Sequence, residues 1–446
     1  VSRAVFAIAR LTLREALRSR VVLVFGFLLV AVAGGLPHLL KGDGTPSGLV
    51  RMTLGYTLGT AFGLLALATL WTGCALVSGD IATRTLELTR VKPVSPGQFW
   101  LGKWLGLLLL VVLLLAGIYL LTGATVFRQL RQHPEATAVM RTARLKVKPV
   151  LPGLDSQIDY YFKQSHGPEK SPEEQRELRR QLRREIPFQA ATLQRGQSWN
   201  WNFALDRPPL TRQPLWLRFQ FDTDAYTRAE VKARCRLTGT TSGTSVDFTL
   251  DDFSTRVIEL PVAADTFGAD TAFKLNMQHT GGEATGPLLL QPRQGLDLLV
   301  PRSGLAFNLL RAATIHLSIL ALLAAIGITL GTLFSLPVAA FCATGMLLAT
   351  MISVFVASDP DSLSDLEADD PASIRHSITA VALRTTQLLM AAAQPAIEPA
   401  PLQQLAAAEQ IPPHTMQRSL LFNALLLPLC CCAVAAAALR RKELSA

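Results

Sequence analysis

The sequence predicts an α-helical integral membrane protein of six transmembrane helices, interrupted by an inserted, mainly-β, sandwich-like extracytoplasmic domain. Three observations carry this expectation. Half of the 446 residues are hydrophobic and 17% are charged, too apolar a balance for an ordinary soluble chain. The apolar residues gather into long runs: Met52–Gly79 holds no charged side chain over 28 residues and Trp104–Phe127 none over 24. At 1.5 Å rise per residue, each run is long enough to cross a hydrocarbon core of about 30 Å as a helix. Between the third and fourth apolar runs, Arg128–Gly304 is polar, and its later part alternates apolar and polar residues with period two.

In chain order, residues 1–20 predict an amphipathic interfacial helix. Arg3, Arg10, Arg14 and Arg18 recur on one side, while Val5, Ile8, Ala9, Leu13 and Ala16 cover the other, a pattern suited to lying flat at lipid headgroups. Residues 21–127 hold spans one to three. Span one starts at Val21, and Ala31-Val32-Ala33 within it also fits a signal-peptidase site, so a cleaved leader is the alternative there. Pro37–Arg51 reads as a short outer loop. Residues 79–103 form the connector between spans two and three, holding Arg84, Arg90, Lys92 and Lys103 against Asp80 and Glu87. Short basic loops stay on the cytoplasmic side.

The outer domain is expected over 128–304, helical over 128–187 and a β-sandwich over 188–304. Ser171, Pro172 and Glu174 form a capping box opening a helix to about Ile186. Arg179, Arg180, Arg183 and Arg184 on that helix read as a solvated face or as a contact with anionic lipid. Alternation marks strands at Leu215–Asp222, Val231–Leu237, Val246–Leu250, Ile258–Val262, Phe273–Met277 and Leu296–Val300. Residues 305–357 hold spans four and five, split at Ser335-Leu336-Pro337. Arg311 and His316 fall near the outer end of span four, either hydrated or facing a substrate path. Residues 358–418 form an outer loop with an acidic run and a surface helix at Ser373–Ala393. Residues 419–446 form span six, kinked at Pro428, and the basic tail Arg440-Arg441-Lys442. The N-terminal helix, connector and tail together hold twelve Lys or Arg, which places both termini in the cytoplasm.

Several chemistries are excluded by spacing. Gly97, Gly102 and Lys103 spell GxxxxGK, but Trp104 stands where a phosphate-binding loop needs Ser or Thr. No GxSxG or HExxH is present, and the run Asp359, Asp361, Asp365, Glu367, Asp369 and Asp370 breaks EF-hand spacing at Leu363. The six cysteines form no CxxC pair, and five sit in apolar runs, leaving Cys235 alone in the wet region. The net charge of +10 is read as a topology signal and not as a nucleic-acid footprint. Trp199, Trp201 and Trp216 form a candidate ligand platform, for instance for a sugar ring, or else pack the sandwich.

The basic helix ARLTLREALRSR, the stretch SGDIATRTLELTRVKPVSPGQFWLGKWLG, the turn TLFSLPVAAF and the terminal AALRRKEL together resemble the permease subunits of type-2 ABC transporters. The resemblance covers 1–127 and 305–446 and rests on the order of the motifs. It implies a cytoplasmic ABC ATPase dimer that binds ATP and Mg, with no cofactor in this chain. It also implies a second permease subunit, identical or different, and a bacterial inner-membrane location. Carried over residue by residue, it makes Arg84, Glu87, Arg90, Lys92 and Lys103 the ATPase-docking residues, with Arg10, Arg14 and Arg18 beside them. The large domain between spans three and four departs from that pattern and suggests an envelope partner. The alternative function is a membrane-anchored extracytoplasmic binding or scaffold protein without transport.

Overall fold

The computed structural model describes residues 2–40, 46–83, 94–149, 154–165, most of 171–186, 192–209, 213–222, 230–253, 257–267, 269–281, 288–290, 295–358 and 401–444. The chain divides into two compact units, residues 142–303 and the remainder.

The larger unit is helical. Helix α1 (Ser2–Arg18) is followed by α2 (Arg20–Leu39), α3 (Pro46–Ala82), α4 (Pro96–Gln132) and the short α5 (Pro134–Met140). After the inserted unit come α6 (Leu305–Leu333) and α7 (Leu336–Ser358), then α8 (Pro401–Ala406). The last helix, α9, runs through Pro413–Ser419, Leu420–Leu426 and Leu427–Leu444. Five of these are long and apolar enough to cross a membrane: Val22–Leu39, Pro46–Ala82, Pro96–Gln132, Leu305–Leu333 and Pro413–Arg441. The remaining expected crossing lies on α7, where the apolar stretch Leu336–Ala349 is shorter. Large apolar side chains stand on the outside of these helices, among them Phe27, Leu120 and Phe341. Such an exterior suits a lipid solvent.

Local chemistry sets the helix ends. Ser95 caps α4: its hydroxyl accepts from Gln98 N–H while its own N–H donates to Gln98 Oε1 at 3.2 Å, with Pro96 at the first helical position. The 37 residues of α4 span about 55 Å, so it outruns the hydrocarbon core by several turns. The expected loop Pro37–Arg51 is mostly helical: Pro37 lies inside α2 and Pro46–Arg51 opens α3. Ahead of Pro428, where a kink is expected, the helix widens into π turns over Leu420–Leu426 and continues to Leu444. A proline deprives the preceding turn of one N–H, and wider turns absorb the mismatch. Gly327 and Gly331 of α6 press on the carbonyls of Leu70 and Cys74, where a Cβ would come within 2.5 Å. Close backbone approach through small residues is how membrane helices pack where apolar solvent offers no hydrophobic drive. The break between α6 and α7 falls at Ser335, as expected.

The second unit begins at Thr142 and not at 128, because α4 and α5 carry the helical unit that far. The run 128–187, expected to be helical in places, also contains a strand, β1 (Thr142–Val147), ahead of a helix at Leu154–Gln164. The Ser171 capping box is present, with Ser171 N–H donating to Glu174 at 2.9 Å. Strands β2 (Thr192–Leu193), β3 (Ser198–Ala204), β4 (Leu215–Phe219), β5 (Phe221–Asp222) and β6 (Glu230–Gly239) follow. Then come β7 (Ser245–Phe253), β8 (Ile258–Val262), β9 (Ala272–His279), β10 (Leu288–Leu290) and β11 (Leu296–Gly304). Two four-stranded sheets run β1-β11-β4-β8 and β3-β9-β6-β7, with a small third sheet β2-β10-β5. The pairs β11–β4, β4–β8, β3–β9, β9–β6 and β6–β7 are antiparallel.

One apolar cluster takes Phe203, Leu217, Phe219, Cys235, Leu237, Leu275, Met277 and Leu298 from both larger sheets. In β9 burial alternates residue by residue, as period two requires. In β4 it does not: all five residues are buried, so the strand expected to show one polar face to water hides both. Its polar side pairs instead. Register sets Asp297, Arg218 and Glu259 side by side across β11, β4 and β8. Glu259 accepts from Arg218 Nε at 3.0 Å and from Arg144 Nη1 at 2.9 Å, and Asp297 pairs with Lys146 at 3.0 Å. Buried charges persist only when paired in this way.

Candidate functional site

The connector between α3 and α4 is flanked by a three-helix charge clamp. Lys103 stands at the start of the third turn of α4, and its Nζ lies 2.7 Å from Asp80 Oδ2 near the end of α3 and 3.3 Å from Glu15 Oε2 of α1. Lys103 is 5% exposed at its side chain, Asp80 17% and Glu15 49%. The ammonium also lies 5.9 Å from the Phe99 ring. A lysine this buried needs its anions, so the pairing fixes where α1 and α3 sit on α4.

Helix α1 reaches the clamp through a smooth contact. A Cβ at Gly102 would meet Ile8 at 2.7 Å, and one at Gly106 would meet the Ala9 carbonyl at 2.6 Å. The side of α1 expected to face lipid therefore packs Val5, Ala9, Thr12 and Ala16 against protein, while Phe6, Leu11 and Leu17 point outward. Arg10, Arg14 and Arg18 are exposed, as their periodicity predicts. On its other side α4 is tied to α6: Trp100 Nε1 donates to Thr329 Oγ1 at 3.3 Å and Trp104 Nε1 to the Ala321 carbonyl at 2.9 Å. Thr329 in turn lies 3.3 Å from the Cys431 carbonyl of α9. The clamp, α6 and α9 thus form one connected set of contacts around the N-terminal half of α4.

Of the five residues expected to dock an ATPase, Arg84, Glu87, Arg90 and Lys92 lie outside the described residues. Lys103 is corrected: it belongs to α4 and not to the connector, whose described flanks are Thr83 and Val94, and its ammonium is spent on Asp80 and Glu15. The same helix carries Gly97 and Gly102, so GxxxxGK forms no phosphate loop here.

Arg311 and His316, expected near water, are both engaged by protein. Arg311 Nη1 donates to the Ile411 carbonyl at 2.9 Å and its guanidinium lies 4.6 Å from the Phe307 ring. Asn308 beside it clasps the same strand of backbone, donating to the Glu409 carbonyl at 2.8 Å and accepting from Ile411 N–H at 2.9 Å. His316 is 1% exposed, hydrogen-bonded through Nδ1 to Tyr119 Oη at 2.7 Å and stacked on Phe62 with centroids 4.1 Å apart. The imidazole is not open to bulk solvent, because Phe62 of α3 and Tyr119 of α4 lie against it.

The tryptophans do not form a platform. Trp199 and Trp201 share a face of β3, with Trp201 in the apolar core, whereas Trp216 lies in the other large sheet and covers the Arg144 guanidinium at 5.4 Å. Register across sheets, which no single strand reveals, separates them. Arg179 is solvated, as one of the two expected readings has it: its side chain is 53% exposed while it pairs with Asp159 at 3.1 Å and lies over the Phe162 ring. Arg180, Arg183 and Arg184, the acidic run 359–370 and the surface helix expected at 373–393 lie outside the described residues. Among the described residues no group of His, Cys, Asp and Glu is arranged to hold a metal ion.

Glu15, Asp80, Tyr119 and Thr329 complete these contacts and were not singled out by motif. The signals were faint: Glu15 is the lone acid of α1, Tyr119 the lone phenol of its run, and Gly102 and Gly106 stand four apart. Searches against protein-family models, curated proteins and solved structures find no match to this chain.

Proposed function

We propose that the chain is the membrane-spanning permease subunit of a type-2 ABC transporter, moving or mechanically handling a substrate with ATP hydrolysed by a separate ATPase. In this reading six helices cross a bacterial inner membrane, with α7 as the fifth crossing and both termini in the cytoplasm. Residues 142–303 then stand outside as a β-sandwich, and a second permease completes the path. The observation that supports it is the Lys103 clamp. A connector whose two ends and the adjacent basic helix share one buried ammonium cannot move without moving all three helices. Force applied by an ATPase dimer at Arg84, Glu87, Arg90 and Lys92 would pass to α1, α3 and α4 together, and through Trp100 and Trp104 to α6. The ATP and Mg would be held by the partner.

A second reading, a membrane-anchored binding or scaffold protein, draws on the separate apolar core of residues 142–303. Purification in mild detergent separates the two. The transporter reading expects a copurifying chain with GxxxxGK[ST], lost when Arg84, Arg90 and Lys92 are changed to glutamate. Association unchanged by the triple reversal refutes the docking assignment, and no such chain under any mild condition favours the scaffold.

A further inference from the structure

Tyr119, Thr122 and Gln129 recur on α4 at spacings of three and seven, which sets them on one face over about 15 Å. That face meets α3 at a π-helical stretch, Thr53–Thr57, where Gln129 Nε2 donates to Thr53 Oγ1 at 3.2 Å. Its other end meets the His316–Tyr119 hydrogen bond, itself packed on Phe62 of α3. Thr53, Thr57 and Thr122 are fully buried. Thr57 Oγ1, Thr122 Oγ1 and Gln129 Oε1 are nevertheless bonded to no protein group among the described residues.

Thr69 and Thr329 in the same bundle behave differently. Thr69 returns its hydroxyl proton to the Leu65 carbonyl at 2.7 Å and Thr329 to Ala325 at 2.8 Å. Three bare polar atoms within one short stretch of helix pair would be costly, since each buried group without a partner is strongly unfavourable. The π turns add to this by shifting backbone carbonyls out of the regular hydrogen-bond register. All the groups are neutral, and no carboxylate stands among them to balance a cation. Small, uncharged and able to donate as well as accept, water is the ligand that fits.

We propose that α3 and α4 enclose a file of ordered water running from Thr53 and Gln129 past Thr57 and Thr122 to Tyr119. This file gives the buried His316–Tyr119 pair a hydrogen-bonded route to the Gln129 end of the helical unit. It stands independently of the transporter reading, because nothing in it requires an ATPase.

The test uses the full-length protein in lipid nanodiscs. Pulsed radiolysis makes hydroxyl radicals from water in place, so a buried side chain is oxidised where water is bound beside it. His316 is expected to be oxidised faster than Trp100, which is equally buried and whose indole N–H is taken by Thr329. Thr122→Val and Thr57→Val are expected to lower the melting temperature and to slow His316 oxidation several-fold, since each strips a water of a partner. His316 oxidised no faster than Trp100, or valine variants that melt at or above the parent, would show the hydroxyls to be dry and overturn the proposal.

Discussion

At Lys103 the two halves of the clamp differ in strength because they differ in burial. The Asp80 contact is short and shielded, whereas Glu15 is half in solvent, where an ion pair contributes roughly 0–1 kcal/mol. Lys103→Met removes the ammonium paired with the shielded Asp80 carboxylate, a loss of about 3 kcal/mol at the lower end for breaking a buried pair. Unfolding in detergent is expected to show that loss, a much smaller one for Glu15→Gln, and partial recovery in Lys103→Met with Asp80→Asn. Equal losses for Glu15→Gln and Lys103→Met would contradict this ranking. Cys235 offers a second check at this scale. Burial among apolar neighbours pushes its thiol up to about 12, so at pH 8 the nucleophilic thiolate is scarce. Alkylation of the native protein at pH 8 is expected to spare Cys235 and to reach it only after unfolding. A modified Cys235 in native protein would show that the second unit opens.

Between elements, what matters is how closely backbones approach and which charges share a row. Helix α1 lies on α4 across Gly106, where a side chain would strike the Ala9 carbonyl. Gly106→Val is therefore expected to push α1 off α4 and expose its N-terminal segment to protease, while Gly117→Val, which has open space, is not. In the second unit, Glu259→Gln replaces the charged acceptor shared by Arg144 and Arg218 with a neutral one, and denaturant unfolding should fall by about 3–5 kcal/mol. Apolar runs and period-two alternation were legible because hydrophobicity has a period that one strand or helix displays alone. The clamp was not, because a lysine at the end of an apolar run reads alike whether it snorkels to water or meets Asp80 and Glu15, one of them 88 residues away. Nor was the loss of the tryptophan platform, since Trp201 and Trp216 alternate equally well in sheets that the sequence does not tell apart. The strand at Thr142–Val147 was hidden by its polar residues, whose partners Glu259 and Asp297 lie far along the chain.

The whole molecule is a helical membrane body, in which the buried Lys103 ammonium joins three helices, followed in sequence by a β-rich unit with its own core. The chain leaves the helical body at Arg141 and returns at Leu305, whose N–H donates to the Arg141 carbonyl at 3.0 Å. An insertion closed so tightly interrupts the helical unit without adding a long loop to it. The central claim is that the connector faces the cell interior. A cysteine-free variant carrying Thr85→Cys, probed with a membrane-impermeant maleimide, tests it most directly. Labelling in inside-out vesicles and protection in intact cells is the predicted result. Labelling from outside intact cells would reverse the topology and contradict the transporter account.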